Sequence, residues 1–281
     1  MIIWLSSYPK SGNTWLRSLL ATYFFSKSGE FNFKILNEID SYPSVRYFEK
    51  YKDSFSTPES TSKYWLKEQE KINQDKKVRF FKTHNAMCKI YGNSFTDNTN
   101  SLGAIHIVRD PRNVITSLSN HYQIDYKEAL DFMKTENKAI IEKKNNRYLG
   151  FNALFSWSFH EKSWSECKKF PILTVRYEDL EQKTYETFKN IFNFIIRISG
   201  IKNTFDKEKA KKVIKECQFE NLQKLEQIEG FREAVFKKGT KEKIKFFNMG
   251  KKNDFRKLLD KELVEEMNIL YEEQLNKYNY N

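Results

Sequence analysis

Ile2 to Ser6 reads Ile-Ile-Trp-Leu-Ser, with no polar alternation before its last residue. Such a run suits a strand covered on both faces. It passes into Ser7-Tyr8-Pro9-Lys10-Ser11-Gly12-Asn13, small and turn-forming residues. It then enters Thr14 to Phe25, whose apolar residues fall at helical spacing. Strand, small-residue turn, helix leaves the first N–H groups of the helix unpaired, at the end carrying partial positive charge. That geometry cradles phosphate or sulfate. Gly12 lets the backbone come close, Ser11, Asn13 and Thr14 add donors, and Lys10 adds a full charge. An ordinary turn with a surface lysine is the plainer alternative for this stretch taken alone.

The rest of the chain repeats the alternation. Val78 to His84, Gly103 to Val108 and Pro171 to Tyr177 read as strands. Asp125 to Ile141, Phe151 to Cys167, and Glu178 onward read as helices, and Pro111 suits the first turn of another. Gly29 to Asp75 reads as a long irregular insertion with short helices. The last third is helical apart from a loop at Phe246 to Phe255. This order predicts an α/β fold: one domain over residues 1–281, a central, mostly parallel sheet flanked by helices, and a P-loop-like phosphate-binding turn after the first strand. Ligands of such sheets lie at the carboxyl ends of the strands. The turn is no Walker A loop, because Lys10 precedes Gly12 and no Ser or Thr follows a Gly-Lys pair to hold Mg²⁺.

Lys and Arg number 49 against 37 Asp and Glu, a net charge of +12. That balance favours an anionic partner such as a nucleotide, although many lysines sit in mixed-sign stretches such as Asp206 to Glu216 that suit solvated helix faces. No basic stripe with interleaved aromatics and no helix-turn-helix argues for nucleic acid. Three scattered cysteines, Cys88, Cys167 and Cys217, make neither a disulfide framework nor a zinc site. With no charged leader and no long apolar run, a cytoplasmic protein without a transmembrane segment is expected.

Tyr8 to Trp15, Lys82 to His84 and Arg109 to Ser117 each follow a predicted strand, so all three point to one edge of the sheet. With these blocks the chain resembles the PAPS-dependent sulfotransferases (PAPS, 3′-phosphoadenosine 5′-phosphosulfate). Tyr177 to Leu180 is a fourth block, and Phe246 to Arg256 a poorer fifth. The resemblance implies sulfonate transfer from PAPS to a hydroxyl or amine, releasing PAP. It implies that Lys10, Ser11, Gly12, Asn13 and Thr14 hold the 5′-phosphosulfate, with Asn13 where the family more often has Thr. Arg109 and Ser117 match the 3′-phosphate site, whose fork-and-hydroxyl chemistry suits a phosphate. Arg112, in the same turn, fits a surface charge better. Trp15, Tyr177 and Phe219 match residues around the adenine, while Cys217 stands where the family usually has Thr. The fifth block keeps Gly250, Asp254 and Arg256 and has Phe255 for Trp. It lacks the Arg-Lys pair and the second Gly, which are Asn248, Met249 and Asn253 here. Lys251 with Lys252, or Lys237 with Lys238, would supply the missing charge, and both remain open.

His84 is the candidate general base, with Lys10 and Lys82 neutralising charge on the leaving group. His106 and His121 fit structural roles, and His160 fits either a pocket wall or helix packing. Sulfonate carries less charge than phosphate, so no metal is required and transfer is expected to survive EDTA. A P-loop-type small-molecule kinase and a catalytically inactive PAP-binding protein are the alternatives. The acceptor is a small molecule, a glycan or a lipid, with the Asn- and Lys-rich composition leaning away from a hormone-inactivating enzyme. Phe31, Phe33, Tyr42, Tyr47, Phe48, Trp65 and Trp157 suggest an aromatic lining for it, although each taken singly fits core packing better. Nothing in the sequence sets an oligomeric state.

Overall fold

A computed structural model of the chain describes residues 1–51, 56–144 and 147–280. Five strands form one sheet: β1 (Ile2–Ser6), β2 (Asp40–Ser41), β3 (Arg79–Thr83), β4 (Ser101–Val108) and, after a separate hairpin, Ile172–Arg176. Their spatial order is β2-β3-β1-β4 with Ile172–Arg176 at the far edge, and every pairing is parallel. Why β1 is apolar throughout is plain from its position. Ile3 and Leu5 join one core with Leu16, Leu19, Phe188 and Phe192. Ile2 and Trp4 join another, on the opposite face, with Phe81, Phe95 and Trp164. Buried on both sides, the strand has no polar face to keep.

The register sets the site. Ser6 lies opposite Thr83 and His106, and Val108 opposite Arg176. The segments that begin at Ser7, His84, Arg109 and Tyr177 therefore all leave the sheet at one edge. Helix α1 (Asn13–Phe25) follows β1, and α2 (Pro111–Tyr122) follows β4. Asp110 caps α2 through the N–H of Arg112, with Pro111 in the first turn as expected.

Elsewhere the elements differ from expectation. The helix expected over Asp125 to Ile141 is α3 (Tyr126–Lys134), opened by a capping box between Asp125 and Glu128. Beyond it, β5 (Ala139–Lys144) pairs antiparallel with β6 (Arg147–Ala153), so the first residues of the helix expected over Phe151 to Cys167 are strand. Ile140, Ile141 and Phe151 suit a strand as well as a helix, and their cross-strand partners decide it. Helix α4 (Trp157–Ser165) begins only after Ser156. The C-terminal non-helical stretch is also longer than expected, running from Gly230 to Asp254 with only a short 3₁₀ turn at Gly250–Lys252. The insertion at 29–75 does hold short helices at Val45–Phe48, Pro58–Ser62 and Trp65–Ile72, and also β2; residues 52–55 lie outside the described part. No helix among the described residues is long and apolar enough to cross a membrane.

Candidate active site

Lys10 has φ 68 and Gly12 φ 100, so the chain curls left-handed twice before α1 and its N–H groups converge. Gly12 is required on two counts. Its φ disfavours any side chain, and a Cβ there would lie 2.5 Å from Cδ2 of Tyr177. Asn13 turns its amide inward, donating from Nδ2 to the Leu5 carbonyl at 2.9 Å and to Ser7 Oγ at 3.2 Å. Its side chain thus braces the turn. Ser11 is buried, and its hydroxyl has no hydrogen-bond partner among the described residues.

In front of the turn is a cavity of about 570 Å³. Lys10, Gly12, Asn13, Thr14, Trp15, Lys82 and His84 line it, as do Arg109, Ser117, Tyr177, Phe219, Gly250 and Lys251. Ser11 alone among the expected site residues does not. The cavity therefore joins three stretches of chain through the parallel sheet, and the C-terminal loop closes one side.

Buried cations dominate its floor. Glu233 pairs with Arg17 at 2.7 Å and with Lys82 at 2.9 Å, and accepts from Thr14 Oγ1 at 3.2 Å. The two cations hold its carboxyl far below the usual carboxylate range despite burial. Burial lowers Lys82, with Glu233 opposing. Burial, reinforced by Lys82 and Arg109 and opposed by Glu233, brings Lys10 down to about 7. The Lys10 ammonium stands 3.9 Å over the ring of Phe246.

His84 Nδ1 lies 2.8 Å from the Ser7 carbonyl oxygen. A carbonyl only accepts, so Nδ1 carries the proton and Nε2 holds the lone pair. Burial, then Lys82, depresses the imidazole pKa to about 3, which keeps the ring neutral. His160 is no pocket wall. It is buried, donates from Nε2 to the His84 carbonyl at 3.2 Å, and packs edge-on to Tyr8. His106 is buried and shares a hydrogen bond with Ser6 Oγ. His121, in contrast, lines the cavity beside Phe246, and burial followed by Lys10 lowers it to about 4.

Arg109 donates to the Lys10 carbonyl at 3.3 Å and reaches Ser117 Oγ at 3.5 Å, with its guanidinium 4.1 Å over the Tyr177 ring. Its Nε has no protein partner among the described residues, which fits a guanidinium meant for an anion. Arg112 is not a surface charge. It is buried, pairs with Asp110 at 2.8 Å and with Asn268, and stacks on Phe255, so it anchors the C-terminal segment. Asn253, where the resemblance expects Gly, donates to the Asn113 carbonyl at 2.9 Å and to Ser117 Oγ at 3.2 Å. That residue docks the C-terminal loop onto α2. Gly250 presses on Phe219, whose ring carbons would lie 2.6 Å from an added Cβ. Trp15 packs against Tyr177 with ring centroids 5.6 Å apart and donates to the Cys217 carbonyl. Of the two lysine pairs, only Lys251 reaches the cavity; Lys238 is tied to Gln123.

The seven aromatics suggested for the acceptor do not line this cavity. Tyr42, Phe48 and Trp65 belong to the core around Trp4, with Tyr47 against it. Phe33 packs on Phe231, Phe31 on Phe33, and Trp157 on Tyr271. Sequence reasoning also passed over Arg17, Glu142, Asn152 and Glu233. Only Arg17 left a trace: a lone charge in the otherwise uncharged helix of Asn13–Phe25 demands a buried partner. Among the described residues no three His, Cys, Asp or Glu side chains are placed to hold a metal.

A parallel α/β sheet with a cation-lined cavity at the carboxyl end of its strands defines a protein that binds anionic groups beside a neutral imidazole. Residues 2–279 match the sulfotransferase domain family, and the chain belongs to it. It is a PAPS-dependent sulfotransferase. Flavonol 4′-sulfotransferase of Flaveria chlorifolia is 25% identical over 97% of this chain and 78% of its own. Flavonol 3-sulfotransferase of Flaveria bidentis is 23% identical over 97% and 81%. A mouse sulfotransferase, SULT7A1, solved with PAP shares the fold at 18% identity, with a TM-score of 0.58 over 99% of this chain and 84% of that one. Retinol dehydratase, solved with androsterone and PAP, shares it at 17% identity and a TM-score of 0.57 over 98% and 80%.

Proposed function

We propose that the chain, acting as one domain over residues 1–281 in the cytoplasm, moves the sulfonate of PAPS to a hydroxyl or amine of a small-molecule, glycan or lipid acceptor. The curled turn and the N-terminus of α1, with Lys10 and Thr14, would hold the 5′-phosphosulfate. Arg109 and Ser117, with Lys251, would hold the 3′-phosphate. Trp15, Tyr177 and Phe219 would bracket the adenine. His84 takes the acceptor's proton at Nε2 as the acceptor oxygen or nitrogen forms a bond to sulfur. The bond from sulfur to the bridging oxygen breaks, PAP leaves with the electron pair, and Lys10 and Lys82 meet the charge that develops there.

One observation carries this reading: the Nδ1–H bond from His84 to the Ser7 carbonyl leaves the Nε2 lone pair unprotonated at the cavity that Lys10, Lys82 and Arg109 share. The deciding experiment incubates the protein with an acceptor panel and either PAPS or ATP, with EDTA present. Transfer from PAPS alone is expected. His84→Ala is expected to keep PAP affinity and lose turnover by about 10²-fold or more. Retained turnover in that variant removes His84 from its role, and phosphoryl transfer from ATP replaces the whole reading with a kinase.

A further inference from the structure

The wall beside His84 is polar. Asn85 accepts from the Ala153 N–H at 2.5 Å through Oδ1, and Ala86 donates to the Ala153 carbonyl at 2.8 Å. These bonds seat the β5–β6 hairpin next to the base. Ile140 pairs with Asn152, and Glu142 with Gly150, so Ile140, Glu142 and Asn152 share one face of the hairpin. That face lines the cavity, while Phe151, on the other face, is buried in the core around Trp4. Ser41, level with Lys82 in the sheet, lines the cavity as well.

Glu142 is the unusual member. It accepts from the Asn152 amide at 3.4 Å, and no cation among the described residues comes within ion-pairing distance. Glu142 is exposed to solvent at the cavity wall; partial desolvation there raises its carboxyl pKa, and the more distant Lys82 opposes that. Lys82 is already paired with Glu233. A carboxylate on a cavity wall, with no counter-ion among the described residues, repels an anionic acceptor and has no use for a flat apolar one.

Building on the sulfotransferase reading, we propose that the acceptor is a polyhydroxylated molecule bearing a protonated amine, with the ammonium on Glu142 and hydroxyls on Asn152 and Ser41. Glu142 then acts in acceptor recognition and not in the transfer itself.

The test measures PAPS-dependent sulfation of methyl glucosaminide, methyl glucoside and 4-nitrophenol, together with PAP binding by calorimetry. The amino sugar is expected to exceed the neutral sugar in kcat/KM by about tenfold, through KM. Glu142→Gln is expected to erase that ratio, and Glu142→Lys to invert it, with PAP affinity unchanged in both. Equal or reversed preference in the wild type, a ratio untouched by Glu142→Gln, or turnover of none of the three while PAP binds normally overturns the inference. Loss of PAP binding in the wild type instead overturns the sulfotransferase reading beneath it.

Discussion

Glu233→Gln separates a charge from the hydrogen bonds it makes. The glutamine keeps an oxygen for Arg17 or Thr14 and an amide in place of the second oxygen, so the change removes charge with little change of shape. Arg17 and Lys82 are 3% and 11% exposed and Glu233 is 20% exposed. Breaking a buried pair leaves its cations uncompensated, at a cost of about 3–5 kcal/mol, and the partial exposure of Glu233 points to the lower figure. At about 2.1 cal/mol/K per residue of unfolding entropy, ~3 kcal/mol lowers the Tm of a chain this long by about 5 °C. The nucleotide responds in the opposite direction. Glu233 engages Lys82 and Thr14, two groups proposed for the phosphosulfate, so removing its charge is expected to tighten PAP binding by about tenfold, near 1.4 kcal/mol. The variant is therefore less stable alone and gains more from saturating PAP. Since the Glu233 carboxyl is held below its ordinary 4.5, its stabilisation is complete above that value and is lost only as pH falls through the depressed one. Because Glu233 also props up the Lys10 and Lys82 values, both lysines lose their charge at lower pH in the variant, so the Tm gap to wild type should narrow as pH rises towards about 7. Thermal melts with and without PAP, and calorimetry of PAP, provide the readout. A Tm within about 1 °C of wild type, or weaker PAP binding, refutes the reasoning.

Three more outcomes follow from the same geometry. With Lys10 lowered to about 7, its charge fades as pH rises through that value, so PAP affinity should fall from about pH 6 to about 9 and the dependence should vanish in Lys10→Met. Lys251→Ala should weaken PAP but not 5′-AMP, which lacks the 3′-phosphate, whereas Lys238→Ala should change neither; equal losses for both nucleotides would place Lys251 elsewhere. Gly12→Ala should destabilise by about 2 kcal/mol or more and abolish PAP binding, because both its φ and the Tyr177 ring oppose a side chain.

Much of the site was readable because its parts are contiguous. The anion turn, the Lys82 to His84 stretch and the Arg109 to Ser117 stretch each carry their chemistry within a few residues. Each also follows a strand whose apolar run announces it. Parallel pairing then brings them to one edge, as the register of Ser6 with Thr83 and His106 shows. The outer ends of the β5–β6 hairpin, Ala139 to Ile141 and Phe151 to Ala153, were read as helix because Ile140 and Ile141 satisfy either period, and only the pairing with Asn152 and Phe151 distinguishes the two. The aromatics expected around the acceptor turned out to be core because their number says nothing of which way they face.

The resemblance of their blocks to the sulfotransferases singled out Lys82, His84 and Arg109; by itself, the order of residues determined the α/β alternation and a strand-turn-helix with Lys10 that suits an anion. Those follow from local propensity and short spacing, which a chain carries before it folds. The tertiary structure alone decided that Glu233, 219 positions from Thr14, accepts its hydroxyl, that Arg112 is buried on Asp110 and Phe255, and that Glu142 lines the cavity. Contacts between distant segments depend on the summed packing of the whole chain, so no stretch near either partner encodes them.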